Sequence, residues 1–273
     1  MNAQKNAYRL LVLTDLSEAS ERALRNAAQL AKVINGSVEA LHVISIALVV
    51  DQENQVMAMR KLHKKYRKTK AMVREMVEKI AKTEDVSIST KIDYGNVKDI
   101  MLDYIKTAEP DIVVLGRRKS KVVDFIGDGI TSYIIDNCQS NILISGDTQQ
   151  FHSFSELSLG VYGKEIAAEG FEIIDHLHQK TNQPMRFFSI GEKEEATKGT
   201  EQESNNAQDR VSYVFVKGAN ALEGLANYVK HSDTRLFCIP RLSKSKSIWR
   251  KKEAVNVNTM VRLLDIPVLI VNN

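Results

Sequence analysis

The stretch that decides the fold is DIVVLGRRKSKVVDFIGDGITSYIIDNCQSNILIS, residues 111–145. It opens with the apolar, β-branched run Ile112–Leu115, which is typical of a strand buried on both faces. Gly116 and a basic segment follow, and then a second glycine cluster at Gly127–Gly129, a helical stretch and another buried strand. This order predicts a parallel βαβ unit. Glycines and the amides of a helix N-terminus also suit the close approach of an anion such as phosphate.

The residues before this stretch complete a domain of the same kind. We expect strands at 10–14, 38–44 and 86–93, with helices after Ser17, over residues 51–83 and after Asn96. Ser17 and Asn96 are residue types that cap helix N-termini. Five strands that alternate with four helices make residues 7–146 a doubly wound α/β domain.

After Ser145 the same order of elements begins again. Strands are expected at 157–162, 185–190, 211–217, 235–239 and 268–271, with helical stretches between them. Residues 191–209 are rich in Glu, Gln, Asn, Ser and Thr and contain almost nothing to bury, which predicts a flexible loop. The repeated order indicates two tandem copies, residues 1–146 and 147–273, of which the second has diverged.

Composition narrows the class of protein. The chain has 273 residues, 43% of them hydrophobic, which is enough for two modest domains. A formal charge of +4 is too small for a dedicated nucleic-acid binder. The two cysteines, Cys138 and Cys238, flank apolar runs and are expected to be buried thiols in a reducing compartment. No apolar run is long enough to cross a membrane and no signal core precedes the first strand, so we expect a cytoplasmic protein.

The long helix at 51–83 carries a basic run with two interpretations. Seven lysines and arginines lie between residues 60 and 70, with no acid among them. The simpler interpretation is a solvated helix face. The alternative is an electrostatic patch for an anionic partner or a membrane surface, without the interleaved aromatic residues of a nucleic-acid surface.

These residues resemble the universal stress protein family, in a tandem form with a degenerate second copy. The resemblance is carried by Leu11–Ser20, Ala40–Val43, Asp93–Asn96 and Ile112–Gly116, and over residues 154–273 it rests mostly on the order of elements. It implies two tandem doubly wound domains with five-stranded parallel sheets, of the Rossmann-like type called adenine nucleotide alpha hydrolase-like. It also implies that the last strand of each copy mediates pairing between domains or between chains.

The resemblance further implies a nucleotide site in the first copy. Asp15 and the backbone of Val43 would hold the adenine and ribose end, while Gly116, Gly129 and Thr131 would line the phosphates. In ATP-binding members the loop reads Gly, two residues, Gly, nine residues, Gly, then Ser or Thr.

This chain departs from that loop pattern at several positions. Lys119 replaces the second glycine, and the third position is Gly129 or, in an alignment shifted by one residue, Asp128. A side chain at Lys119 changes the path of the loop, and a carboxylate at Asp128 would repel phosphate. The basic residues of the loop, in contrast, would attract phosphate. A nucleotide site and a degenerate loop with solvated lysines and arginines therefore both remain open.

The second copy does not retain the pattern. Pro240 stands where the loop glycine is expected, and Gly163-Lys164 stands where the first copy has Asp15. We expect no nucleotide site in this half, which then serves as a scaffold or as the partner half of an intrachain pseudo-dimer.

Three classes of function follow, in order of preference. The first is a regulatory, non-enzymatic protein that binds ATP or AMP in its first copy in response to stress. The second is a nucleotide-free module for interaction or dimerisation with decayed sites. The third is a slow ATPase or phosphate-transferring enzyme, which Thr131 and Ser132 would permit although no general base is identifiable. We expect a homo-oligomer such as a dimer, or the intrachain pseudo-dimer, and protein partners, but no bound nucleic acid and no catalytic or metal site.

Overall fold

The computed structural model describes residues 8–45, 55–117, 129–146, 157–163, 172–191, 210–241 and 256–272. The chain divides into two compact units, residues 1–140 and 141–273.

The first unit is built on parallel strands with helices between them. Its elements are β1 Arg9–Thr14, α1 Glu18–Ile34, β2 Ser37–Ser45, α2 Gln55–Glu84, β3 Ile88–Gly95, α3 Val97–Ala108, β4 Ile112–Gly116 and α4 Gly129–Asn137. The strands lie in the order β3-β2-β1-β4, and each neighbouring pair is parallel. Apart from Arg9 and Gly116, the residues of β1 and β4 are buried, as their continuous apolar sequence predicts.

The helix ends follow the local chemistry of the sequence. The Ser17 hydroxyl accepts a hydrogen bond from the Ser20 amide at 3.3 Å and begins α1, which ends at Asn35 in a left-handed conformation with φ of 52°. The Asn96 side chain accepts from the Lys98 amide at 3.1 Å and begins α3. Both predicted caps are therefore confirmed.

The second unit repeats this arrangement. Its elements are β5 Asn141–Ser145, β6 Leu159–Tyr162, α5 Glu172–His178, β7 Met185–Gly191, β8 Arg210–Val216, α6 Ala221–His231, β9 Leu236–Pro240, α7 Val257–Leu263 and β10 Val268–Val271. The strands β8-β7-β6-β9-β10 are mutually parallel, and the first four of them, β8-β7-β6-β9, reproduce the order β3-β2-β1-β4 of the first unit. The doubly wound α/β fold is confirmed.

The last strands pair with opposite directions. In the antiparallel pair of β5 and β10, Ile144 lies opposite Val268 and Ile142 opposite Ile270. This pairing groups β5 with the second unit, whereas the sequence led us to divide the chain after residue 146. That domain division stays a prediction, and the expected loop 191–209 lies outside the described residues except for Gly191.

The core of the second unit contains a cluster of aromatic rings. The Phe188 ring stacks on Tyr213 with centroids 5.2 Å apart and lies 5.6 Å from the Phe237 ring. A Cβ at Gly160 would stand 2.9 Å from Phe237 and 3.0 Å from Phe188, so the absence of a side chain makes room for both rings. The diverged copy has thus kept the fold with a different core.

Both cysteines are buried and neither forms a disulfide. Burial raises the pKa of the Cys238 thiol to about 12. Among the described helices, none is long and apolar enough to cross a membrane.

Candidate functional site

Three of the predicted site residues lie at one edge of the first unit's sheet. Thr14 pairs with His42, so Asp15 and Val43 follow at the same level on β1 and β2. Leu13 pairs with Leu115, which continues the register to Thr14 and Gly116. Because the strands are parallel, all of these residues lie at their carboxyl ends.

The strand order makes this edge a switch point. β1 lies between β2 and β4; the chain leaves β1 toward β2 on one side and reaches β4 on the other side after β3. The helices that follow β1 and β4 therefore diverge, and they leave a crevice outside the carboxyl ends of these two strands. In open α/β sheets this is the usual position of a ligand.

The turn after β1 holds the Asp15 carboxylate in a defined orientation. Its Oδ1 accepts hydrogen bonds from the Ser17 amide at 2.9 Å and from the Ser17 hydroxyl at 2.5 Å. Between them, Leu16 has a φ of 65°, which is unfavourable for a residue with a side chain. Asp15 itself is exposed, so an acceptor that is fixed by its own turn faces solvent at the switch point.

Gly116 is required by packing. A Cβ at this position would stand 2.5 Å from the carbonyl carbon and oxygen of Ala19 and 2.8 Å from the Ser20 amide nitrogen. The end of β4 therefore lies directly against the backbone of the first turn of α1. This contact explains the glycine without any ligand.

Val43 can take part only through its backbone. Its side chain is 7% exposed, and its place in the β2–β3 ladder is opposite Asp93. A backbone role for Val43 is what the family resemblance implies, and it stays a prediction.

A histidine and a lysine complete the β2 end of the edge. The His42 Nδ1 lies 2.9 Å from the Thr14 carbonyl oxygen, which links the ends of β2 and β1. Burial lowers the pKa of His42, helped by the positive charge of Lys65 and opposed by the hydrogen bond to Thr14. Lys65, from α2, donates to the Ser45 carbonyl at 3.3 Å, so the long helix reaches the last residue of β2.

The other two predicted residues, Gly129 and Thr131, lie in the first turn of α4. A Cβ at Gly129 would stand 3.0 Å from the Lys98 Nζ, and this ammonium lies 5.3 Å from the centre of the Tyr133 ring. Lys98 is in the first turn of α3, directly after the carboxyl end of β3. The N-terminus of α4 therefore also lies at the carboxyl edge of the sheet, with a cation beside it.

Sequence reasoning missed Lys98. The sequence did contain an indication of its role, because a lysine in the first turn of a helix is unfavourable for the helix dipole. Such a lysine therefore suggests a role other than stabilising its own helix. Its spatial neighbour Gly129 is 31 positions away in sequence, however, and this pairing is visible only in the fold.

The predicted site is thus described in two parts, the strand edge with Asp15, Val43 and Gly116 and the α4 turn with Gly129 and Thr131. Residues 118–128, which join them and include Lys119 and Asp128, lie outside the described residues.

The second unit differs at the corresponding positions. Gly160 pairs with Phe237 and Val161 with Cys238, so the register brings Gly163 level with Pro240, as Thr14 is level with Gly116. Gly163 has a φ of 131° and its amide donates to the Phe188 carbonyl at 2.8 Å. Lys164, which follows where Asp15 follows Thr14, lies outside the described residues.

Metal chemistry has no visible basis in the described parts of the chain. There, no three His, Cys, Asp or Glu side chains are grouped so that they could hold a metal ion.

Together, the sheet order and the position of the polar turn at its switch point define a doubly wound α/β protein. Residues 7–145 match the universal stress protein family, and the chain belongs to that family. The match ends at residue 145 and does not include the second copy. No protein of curated function matches the chain at a significant level.

Solved structures with the same fold span the whole chain. A universal stress protein from Archaeoglobus fulgidus is 12% identical, with a TM-score of 0.69, over 98% of this chain and 99% of that one. A functionally unknown protein from Pseudomonas aeruginosa is also 12% identical, with a TM-score of 0.58, over 100% of this chain and 95% of that one. The universal stress protein UspA from Lactobacillus plantarum is 25% identical over 50% of this chain and 96% of its own length, with a TM-score of 0.43. The first two likenesses establish the fold across both halves.

Proposed function

We propose that this chain is a regulatory protein that binds an adenine nucleotide, ATP or AMP, in its first unit. The observation that carries the proposal is that Asp15, the Val43 backbone and Gly116 form a row across adjacent strands at the switch point of the sheet. The family match over residues 7–145 supports the proposal, because resemblance to ATP-binding members of the universal stress protein family implies a nucleotide at these positions.

Each group in the row has a chemical role to offer. The Asp15 carboxylate, oriented by Ser17, accepts hydrogen bonds from ribose hydroxyls. The Val43 backbone faces the adenine end. The first turn of α4, with Gly129 and Thr131, supplies amides and a hydroxyl to the phosphates, and Lys98 supplies a positive charge.

The proposal assigns no catalytic residue. Hydrolysis of a phosphoanhydride needs a group that orients or deprotonates water, and the groups at this edge instead hold or neutralise a ligand. A bound nucleotide would then act by its presence, through the surface that it completes.

A second candidate function has an observation of its own. Because Gly116 is explained by its packing on Ala19, the loop glycine does not require a phosphate. This favours a nucleotide-free module for interaction or dimerisation, in which the fold is kept and the ligand is lost.

Titration calorimetry with ATP, AMP and adenosine separates the two functions. We expect wild-type protein to bind ATP or AMP at or below millimolar concentration, and Asp15→Ala to weaken both about threefold to tenfold through the loss of one hydrogen-bond acceptor. Lys98→Ala should weaken ATP binding by about fivefold and leave adenosine binding unchanged, because an exposed ammonium attracts the phosphates, which adenosine lacks.

Lys106→Ala is the matched control, since Lys106 is an exposed lysine in the last turn of the same helix. Gly129→Val should abolish ATP binding, and the fold should tolerate it because, among the described residues, an added Cβ comes within 4 Å of the flexible end of Lys98 alone. Absence of ATP and AMP binding to the wild type would leave the interaction module as the function.

A further inference from the structure

The first half of α2 is rich in positively charged residues. There is no acid from Gln55 to Arg74, and six lysines and arginines are exposed: Arg60, Lys61, Lys64, Arg67, Lys68 and Lys70. The second half of the helix also contains acids, and there Arg74 pairs with Glu78 at 2.6 Å and Lys79 pairs with Glu21 at 3.0 Å.

Most of these cations lie on one side of the helix. Met57, Arg60, Lys61, Lys64, Arg67 and Lys68 are spaced three and four residues apart, and all are exposed. We call this group, which consists of five basic residues and Met57, the cationic face. It extends for about 17 Å along the helix at 1.5 Å per residue.

The opposite side of α2 anchors the helix. Thr69, Val73, Val77 and Ile80 are buried, and Lys65 is turned inward to the Ser45 carbonyl. The cationic face is therefore held outward by a packed helix.

Apolar side chains accompany the charge at the N-terminal end of α2. Val56, Met57 and Met59 are 59%, 56% and 55% exposed. Of these three residues, Met57 lies on the cationic face, so an apolar side chain is exposed beside the charges. Methionine suits contact with an apolar phase because its side chain is flexible.

We propose that the cationic face binds the surface of a membrane rich in anionic lipid. Four to eight lysines and arginines on an amphipathic helix are the pattern that recognises anionic headgroups. The exposed side of one helix is a convex ridge, which fits a flat layer of charges, and Met57 at its end can enter the interface.

Other anionic partners fit less well. Single-stranded nucleic acid is held by aromatic side chains that stack on bases, and Tyr66, the aromatic residue in this part of α2, points partly inward and is not exposed. An acidic peptide usually lies in a groove, whereas this surface is a ridge. The proposal is independent of nucleotide binding.

Vesicle co-sedimentation of the full-length protein tests the proposal. We expect binding to phosphatidylcholine vesicles that contain about a third phosphatidylglycerol, no binding to phosphatidylcholine alone, and loss of binding at about 1 M salt. Arg60→Gln combined with Lys64→Gln and Arg67→Gln should lower the partition coefficient on the order of a hundredfold, since each basic residue contributes about a fivefold factor.

The matched control removes three exposed lysines elsewhere in the first unit: Lys82→Gln, Lys91→Gln and Lys106→Gln. Both triple variants change the formal charge from +4 to +1, because each removes three positive charges. The control should bind within about threefold of the wild type, since its lysines lie off the cationic face. Equal losses in the two variants would attribute binding to net charge and overturn the proposal.

A second variant does not depend on charge. Met57→Gln should lower partitioning severalfold and leave its salt dependence in place, whereas Met59→Gln, on the opposite side of the helix, should leave partitioning unchanged. Far-ultraviolet circular dichroism checks that each variant is folded. Absence of binding to anionic vesicles overturns the proposal, and binding of polyglutamate or duplex DNA by a protein that does not bind these vesicles assigns the face to that class of partner instead.

Discussion

At the scale of single residues, Gly116 at the end of β4 shows that packing and ligand binding can both require glycine at the same position. Gly116 follows a buried strand and precedes a basic loop, which is the context of a phosphate-binding turn. In the fold, its Cα faces the carbonyl group of Ala19, with no room for a Cβ. A test of stability therefore has to precede any test of binding at this position.

Gly116→Ala should destabilise the protein by about 2–3 kcal/mol, because the atoms that it meets are helix backbone and cannot rotate away. Gly224→Ala is the control. Gly224 is inside α6 with nothing within 4 Å of an added Cβ, so alanine should stabilise by about 0.5–1 kcal/mol. Urea denaturation followed by circular dichroism measures both. A neutral Gly116→Ala would mean that the first turn of α1 can move, and the glycine would then need a ligand to explain it.

The residues of the candidate site differ in how far the sequence predicts them. Asp15 and Val43 follow from strand ends that the apolar pattern fixes, and their common level follows from parallel pairing. Lys98 and Lys65 reach this edge from helices, across 31 positions to Gly129 and 20 positions to Ser45. Periodicity along one helix gives no information on which other element its side chains will meet.

At the scale of elements, the ends of β1 and β2 are joined by one titratable side chain. The His42 Nδ1 contacts the Thr14 carbonyl, and burial lowers the pKa of the imidazole, which favours its neutral form. The site edge is therefore built on a histidine whose charging the fold resists.

This arrangement predicts a pH dependence of stability. Because the folded pKa of His42 lies below its ordinary value of 6.5, the unfolded chain takes up a proton first as the pH falls. The contribution of neutral His42 to stability is complete above pH 6.5 and is lost as the pH drops from there through the lowered pKa.

The substitution His42→Asn tests this dependence. It keeps an amide donor for Thr14 but cannot be protonated, so the free energy of unfolding of the variant should fall less than that of the wild type between neutral and acidic pH. Urea denaturation at several pH values measures this, with pH 8 as the common reference. If the free energies of unfolding of the two proteins change with pH in parallel, His42 does not contribute to the pH dependence of stability.

The order of elements was largely readable from the sequence, and the antiparallel pair was not. Apolar runs and the caps Ser17 and Asn96 located the strands and helices, because these signals are local. The pairing of β5 with β10 joins residues more than a hundred positions apart, and only the family resemblance suggested it. Neither strand's own sequence specifies the direction of its neighbour.

At the scale of the whole molecule, the two units share a strand order and differ at the carboxyl edge. In the first unit an oriented carboxylate, Asp15, follows β1. In the second, Gly163 continues the β6–β7 ladder toward Phe188, and Pro240 stands level with it, where the first unit has Gly116. The duplicated fold therefore does not imply a duplicated site.

The stoichiometry of nucleotide binding should accordingly be one per chain. A second site would need a ribose acceptor, and the sequence offers Lys164 at the position of Asp15, a donor without acceptor capacity. It would also need flexible backbone after β9, where Pro240 has a fixed φ and no amide hydrogen. Calorimetric titration with ATP should give about one site for the wild type, and Asp15→Ala should reduce the affinity of that site. Arg241→Ala, after β9, should leave both affinity and stoichiometry unchanged. If Arg241→Ala removes binding and Asp15→Ala does not, the nucleotide occupies the second unit, and the positions that this copy has lost are not the ones that bind.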